Sequence, residues 1–215
     1  MPSPRKQSPF RLLVEGRDDE HTVIHLMARH GYDWADGSRD RPYIRDCGGI
    51  DSLLDELPVA LLTYRCLGVV LDANQNLPKR WLKVKSSAAR QGLDLPPYPH
   101  KEGTILDGRL PGSRVGFWLM PDNSSPGALE DFLHRLVPAD DPCWSFAGEV
   151  VPEARKRGAR CRENDHLKSA LHTWLAWQEE PGQPFGVALK AKFFAHESED
   201  ARRFVAWFRR LFVDE

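Results

Sequence analysis

The sequence has few cysteines and no long apolar run. Its four cysteines are scattered and include no C-x-x-C pair, which excludes a paired-cysteine metal site; they are Cys47, Cys66, Cys143 and Cys161. No stretch approaches the roughly 18 consecutive apolar residues of a spanning helix, and the opening segment lacks the apolar core of a signal peptide. These absences predict a reduced, cytoplasmic protein without a membrane partner.

The chain also lacks an excess of charge of either sign. Its 30 lysines and arginines nearly balance 31 aspartates and glutamates, for a formal net charge of -1. No overall field therefore attracts nucleic acid or an anionic membrane. A polyanionic partner would have to be held by a local basic patch or by bound cations.

Several common catalytic motifs are missing. The sequence contains no G-x-x-x-x-G-K-[ST] and no G-x-G-x-x-G, which argues against P-loop and Rossmann nucleotide sites. It contains no G-x-S-x-G, and no cysteine has the setting of a catalytic nucleophile.

Short apolar runs alternate with helical patterns through the first two thirds of the chain. Strands are predicted at 9–15, 43–46, 67–72 and 114–120, and the unbroken apolar run LGVVLD at 67–72 is typical of a strand buried on both faces. This order predicts an α/β fold: a mostly parallel, Rossmann-like sheet flanked by helices. A short strand near 103–106 is a further possibility.

Helical periodicity fills the intervals and the C-terminal third. Helices are predicted over 18–30, 51–63 with a kink or split at Pro58, 78–92, from Ser125 and Pro126 onward, near 167–178 and near 201–212. The predicted organisation is a disordered leader at 1–8, an α/β core at 9–137 and a mainly helical extension at 138–215 packed on that core.

Acidic residues end three of the predicted strands. Glu15, Asp72 and Asp122 follow the runs LLV, VVL and WLMP, and the carboxyl ends of parallel strands meet at one edge of a sheet. Clustered carboxylates repel one another unless a cation compensates them, so an acidic edge without a nearby lysine suggests a divalent metal site. Each acid taken alone is more often a loop or helix-cap residue.

Several motifs resemble those of Toprim domains. Residues 12–19 (LLVEGRDD) resemble the first Toprim motif, a strand-end glutamate followed by glycine, and residues 69–74 (VVLDAN) resemble the D-x-D motif. Residues 119–132 and 171–182 resemble a domain-of-unknown-function family of small prokaryotic Toprim-like proteins. The resemblance covers roughly residues 10 to 212 and depends on the order of the motifs more than on any one of them.

The resemblance implies a Toprim-like fold with a Mg²⁺ or Mn²⁺ site acting on phosphodiester bonds, as in the Toprim domains of primases, topoisomerases and OLD-type nucleases. Glu15 matches the general acid/base or metal-bridging glutamate, Asp72 the first D-x-D ligand, and Asp19 an acid that OLD-type nucleases use for a second metal. Asn74 replaces the second acid of D-x-D and offers only a neutral oxygen. Asp122 or Glu130 is expected to compensate as a ligand.

A basic run provides candidate phosphate contacts. It comprises Arg155, Lys156, Arg157, Arg160 and Arg162, and Lys168 follows as a candidate phosphate-binding lysine. A solvated charged loop is the competing interpretation. The sequence thus favours a metal-dependent nuclease on DNA or RNA, with two alternatives: an inactive Toprim-like module that binds nucleic acid or nucleotide or docks on an ATPase, and a structural protein whose acids are only caps.

Overall fold

The computed structural model describes residues 8–35 and 41–214, so the predicted leader at 1–8 lies outside the described residues except for Ser8. Five strands form one sheet: β1 (Phe10–Val14), β2 (Tyr43–Asp46), β3 (Cys66–Asp72), β4 (Thr104–Asp107) and β5 (Arg114–Met120). Their order is β2-β1-β3-β5-β4, and only β4 runs antiparallel to its neighbour. The prediction of an α/β fold with a mostly parallel sheet is confirmed.

Within the described part of the chain, eight α-helices connect and cover these strands. They are α1 (Arg17–Arg29), α2 (Ile50–Leu61), α3 (Leu77–Ala89), α4 (Leu129–His134), α5 (Pro142–Lys156), α6 (His166–Ala176), α7 (Phe185–Lys190) and α8 (Glu199–Phe212). A short 3₁₀ helix at Glu163–Asp165 precedes α6. Across residues 8–35 and 41–214, no helix is both long enough and apolar enough to cross a bilayer.

The sheet separates two apolar cores. Successive residues of β3 point to opposite faces, so Val69 and Leu71 pack with α2 and α3 while Val70 packs on the other face. That other face is covered by α1 and by α4 to α8. Burial on both faces explains the unbroken apolar sequence of β3.

Two paired glycines let α8 lie close against the sheet. Gly68 of β3 is opposite Gly116 of β5 in the register. A Cβ at Gly116 would come within 2.6 Å of Leu211, and one at Gly68 within 2.9 Å of Phe212. Side chains at these two positions would therefore push α8 away from the sheet, so the two glycines allow the C-terminal helix to pack closely against it.

The predicted split at Pro58 is wrong, because α2 runs unbroken through it, and the predicted kink stays a prediction. Proline has no N–H, so the carbonyl of Leu54, four residues earlier, loses its helical partner. The buried hydroxyl of Ser87 on α3 donates to that carbonyl at 2.6 Å. A side chain of the neighbouring helix thus satisfies the group that the proline leaves open.

The helix predicted to begin at Ser125 and Pro126 instead begins at Leu129. The hydroxyl of Ser125 donates to the carboxylate of Asp122 at 3.0 Å, so it does not cap the helix. Gly127 exchanges two backbone hydrogen bonds with Asn74, of 2.6 and 2.7 Å, which keeps the chain extended up to residue 128.

Candidate functional site

The carboxyl edge of the sheet brings Glu15 and Asp72 together. Glu15 directly follows β1, and Asp72 is the last residue of the adjacent strand β3. The backbone N–H of Asp72 donates to Glu15 Oε1 at 2.8 Å. Parallel pairing of β1 and β3 creates this contact between residues 57 positions apart.

Asp19 lies beside this pair, in the first turn of α1. Its Oδ2 accepts a hydrogen bond from the N–H of Gly16 at 3.1 Å, which fixes the side chain at the start of the helix. The residue is only 7% exposed, and its Oδ1 is buried with no hydrogen-bond partner among the described residues. A buried carboxylate oxygen without a partner is costly, so this atom marks a place for a proton or a cation.

Glu130 of α4 is the fourth acid of the cluster, and it forms an ion pair with a lysine. Lys168 of α6 contacts Glu130 Oε1 at 2.7 Å. The condition used above for a metal site, an acidic edge without a nearby lysine, is therefore not met at Glu130. This ion pair compensates Glu130 and leaves the strand-end acids with their own repulsion.

The pKa values report that repulsion together with burial. Burial, followed by the charges of Asp19, Glu15 and Glu130, raises the pKa of Asp72 to about 8. Burial and the charge of Glu15 raise the pKa of Asp19 to about 7. Burial also raises the pKa of Glu15, against the hydrogen bond from Asp72 and the charge of Arg80. Three neighbouring carboxyls thus hold protons more tightly than usual.

Asp122 has a different environment from the other acids. Its carboxylate accepts hydrogen bonds from Arg135 Nη1 at 2.8 Å and from the N–H groups of Ser124 and Ser125 at 2.9 and 2.6 Å. Burial alone would raise the pKa of Asp122, but these hydrogen bonds lower it to about 2. We therefore leave Asp122 out of the candidate site and treat it as the organiser of the turn after β5.

Asn74 lies at the edge of the acidic cluster with a fixed backbone. It adopts a left-handed conformation with φ of 52°, which asparagine tolerates better than most residues. Its backbone bridge to Gly127 ties the loop after β3 to the segment before α4. Both sides of the opening next to Asp72 are thereby held in place.

An open cleft of about 630 Å³ lies over this edge, and we call it the acidic cleft. It is lined by Asp72, Asn74, Gln75, Pro126, Gly127, Ala128, Glu130, Asp131, Asn164, Asp165, Leu167 and Lys168. Asp72 is the one strand-end acid in this lining, which also includes residues of α4 and of the start of α6.

The basic run does not line the acidic cleft. Arg155 and Lys156 end α5, and Glu153 pairs with Lys156 and Arg157 at 3.6 and 2.9 Å. Of the six predicted phosphate-binding residues, only Lys168 lines the cleft. The others are exposed or half-buried, and their phosphate contacts stay a prediction.

The oxygen donors of the cluster fit a hard divalent cation. Across residues 8–35 and 41–214, no three histidine, cysteine, aspartate or glutamate side chains are gathered tightly enough to form a ligand set alone. Magnesium usually takes one or two carboxylates and keeps several waters, so it does not need such a set. The partnerless Oδ1 of Asp19 is the specific observation that supports the fit.

Sequence reasoning missed a second group of charges beside these acids. Lys79, Arg80 and Lys83 line a cleft of about 330 Å³ that shares Asn74 and Gln75 with the acidic cleft. Their only sequence signal is the spacing of basic residues in the first turns of α3, just after the D-x-N segment. Such spacing is also common on ordinary helix surfaces.

The fold and this edge define an α/β protein with a carboxylate cluster at the ends of adjacent parallel strands. The chain belongs to a family described as a protein of unknown function (DUF3226), whose model matches residues 9–213. No curated protein and no solved structure matches the chain. The family description names no activity, so the relation to Toprim domains and OLD-type nucleases stays a prediction.

Proposed function

We propose that this protein is a Toprim-like, Mg²⁺- or Mn²⁺-dependent enzyme of the cytoplasm that hydrolyses phosphodiester bonds in DNA or RNA. The observation that carries the proposal is the convergence of Glu15, Asp19, Asp72 and Glu130, with a buried oxygen of Asp19 left without a partner. One or two of the carboxylates of Glu15, Asp19 and Asp72 would hold the cation together with water molecules, with Glu130 and Asn74 at its margin. When bound, the cation would neutralise charge on the phosphoryl group and lower the pKa of bound water.

Two residues of the chain, Glu15 and Lys168, have suitable positions to take part in hydrolysis. The oxygen of a water molecule bonds to phosphorus, the bond to the leaving oxygen breaks, and one proton passes from the water to the leaving oxygen. Glu15 is suited to carry that proton, because burial raises its pKa towards the working pH. Lys168, which contacts Glu130 and lines the acidic cleft, is suited to a phosphate oxygen.

The alternative is a module that binds nucleic acid or nucleotide, or docks on an ATPase partner, without cleaving. Asn74 favours it, because a neutral amide at the second D-x-D position weakens the attraction for a divalent cation. The two candidates share the acidic cleft and differ in whether chemistry follows binding.

A cleavage assay separates the candidates. The full chain is incubated with plasmid, single-stranded DNA and RNA in Mg²⁺, in Mn²⁺ and in EDTA, alongside Glu15→Gln and the exposed-site control Asp55→Asn. We expect metal-dependent cleavage that falls at least 100-fold in Glu15→Gln and persists in Asp55→Asn, since a general acid/base contributes about 10²–10⁴-fold. Metal binding without cleavage supports the binding module, and neither binding nor cleavage supports a structural protein whose acids are caps.

A further inference from the structure

A second cleft lies beside the acidic one, and we call it the basic cleft. It has a volume of about 330 Å³ and is lined by Ala73, Asn74, Gln75, Asn76, Lys79, Arg80 and Lys83. This lining combines three cations with three side-chain amides and contains no carboxylate. Such a set of hydrogen-bond donors matches an oxyanion.

The local sequence explains how these cations meet. Asn76 caps α3 by accepting a hydrogen bond from the N–H of Lys79 at 2.9 Å, which starts the helix directly after the loop that follows β3. Lys79 and Lys83 are one helical turn apart, so they lie on the same side of α3, near its N-terminal end. The helix dipole adds positive potential at that end.

The cations of the basic cleft form no ion pair in the part of the chain that the structure describes, although the charge of Arg80 acts on Glu15 at longer range. No described carboxylate lies within ion-pair distance of Lys79, Arg80 or Lys83. Nη1 of Arg80 is shielded from solvent and has no hydrogen-bond partner among the described residues. A guanidinium nitrogen without an acceptor is unfavourable, so Arg80 adds positive charge without an ion-pair partner to the wall of the cleft.

We propose that the basic cleft binds a phosphate group of a polynucleotide strand whose neighbouring segment occupies the acidic cleft. The two clefts are contiguous, because Asn74 and Gln75 line both. One cleft supplies acids for a cation and the other supplies fixed positive charge, which together suit a chain of phosphates. This inference rests on the proposed function and names the contact that holds its substrate.

The test uses the full chain and a fluorescently labelled single-stranded DNA oligonucleotide in EDTA, with anisotropy read over a series of salt concentrations. The variant is Lys79→Gln/Lys83→Gln, because both lysines are exposed and removing Arg80 would also disturb Glu15. The matched control is Arg90→Gln, which removes a cation at the far end of α3, outside the cleft.

We expect the double variant to bind the oligonucleotide at least tenfold more weakly. The slope of log affinity against log salt should fall by about 0.7 for each lost phosphate contact. Arg90→Gln should keep the wild-type slope. Equal affinities and slopes for the double variant and the control would overturn the inference, as would no binding by the wild-type chain to oligonucleotide or to inorganic phosphate.

Inorganic phosphate supplies the second arm of the test. Competition with the oligonucleotide, lost in the double variant, supports a phosphate subsite for the strand. Binding of phosphate through these lysines without binding of the oligonucleotide assigns the subsite to free phosphate. Cleavage is measured separately. If the oligonucleotide binds through the basic cleft but is not cleaved, the phosphate subsite is supported and the enzymatic function is contradicted. If the oligonucleotide is cleaved but Lys79→Gln/Lys83→Gln binds it as the wild type does, only the phosphate subsite is contradicted.

Discussion

The N–H of Asp72 donates a hydrogen bond of 2.8 Å to Glu15 Oε1, which joins the ends of the two central strands through the acids themselves. This contact stabilises ionised Glu15 and places its charge next to the carboxylate of Asp72. The fold therefore brings the carboxylates together and offsets only part of their repulsion. A site that is unfavourable without a ligand is typical of a binding site.

The first prediction concerns stability against pH. The pKa values of about 7 for Asp19 and about 8 for Asp72 lie above the usual value near 4. As pH rises from about 4 to about 8, the unfolded chain releases protons that the folded protein still holds, so the free energy of unfolding falls. We expect Asp72→Asn to be more stable than wild type at about pH 8.5 in EDTA, by about 1 kcal/mol or more, with a smaller difference at about pH 5.

Thermal unfolding in EDTA and in Mg²⁺ measures this difference. Mg²⁺ should raise the Tm of the wild type by more than that of Asp72→Asn, because the variant lacks one of the carboxylates that bind it. Asp55→Asn, at an exposed position of α2, should behave as wild type. A stability difference between Asp72→Asn and wild type that is independent of pH would contradict the prediction.

The second prediction concerns Asp122, which we assign to structure. Its pKa of about 2 is below the unfolded value of about 3.9, so its contribution is present above about pH 4 and is lost as pH falls through about 2. Asp122→Asn should lower the free energy of unfolding by about 1–3 kcal/mol near neutral pH, the range for hydrogen bonds to a charged group. Urea unfolding at several pH values measures this, and a loss that persists unchanged at about pH 2 would be inconsistent with it.

The third prediction concerns the helix that contains Pro58. Ser87→Ala removes the only hydroxyl that donates to the carbonyl of Leu54 among the described residues and leaves that half-buried carbonyl without its partner. We expect a loss of about 1–3 kcal/mol in the free energy of unfolding. Ser86→Ala, at the exposed neighbouring position, is the control and should change stability by less than about 0.5 kcal/mol. Equal effects of the two substitutions would show that the Ser87 bond contributes nothing.

Much of the fold is predictable from the sequence because its signals are local. The apolar run of β3 stops at Asp72, and parallel strands bring their carboxyl ends to one edge, so the approach of Glu15 and Asp72 follows from pattern and topology alone. The same argument, that the ends of parallel strands meet at one edge, also predicted Asp122 to lie with Glu15 and Asp72. Asp122 is separated from β5 by Pro121, and its carboxylate accepts a hydrogen bond from Arg135, the residue that follows α4, a contact that no local pattern encodes.

Other features depend on contacts between distant residues and were not predictable. The lysine paired with Glu130 comes from α6, 38 positions later, and its distance depends on how the C-terminal helices pack on the sheet. The continuity of α2 through Pro58 depends on a hydroxyl of α3, 33 positions away from Leu54. The basic cleft required both the loop after β3 and the orientation of α3 to be known.

Calorimetric titration with Mg²⁺ and Mn²⁺ near pH 7 tests the central claim most directly. We predict that the wild type and Asp122→Asn bind the cation, that Asp19→Asn and Asp72→Asn bind at least tenfold more weakly, and that wild-type binding releases protons, seen as a heat that depends on the buffer. Equal binding by all four proteins, or no binding by the wild type, would contradict the account.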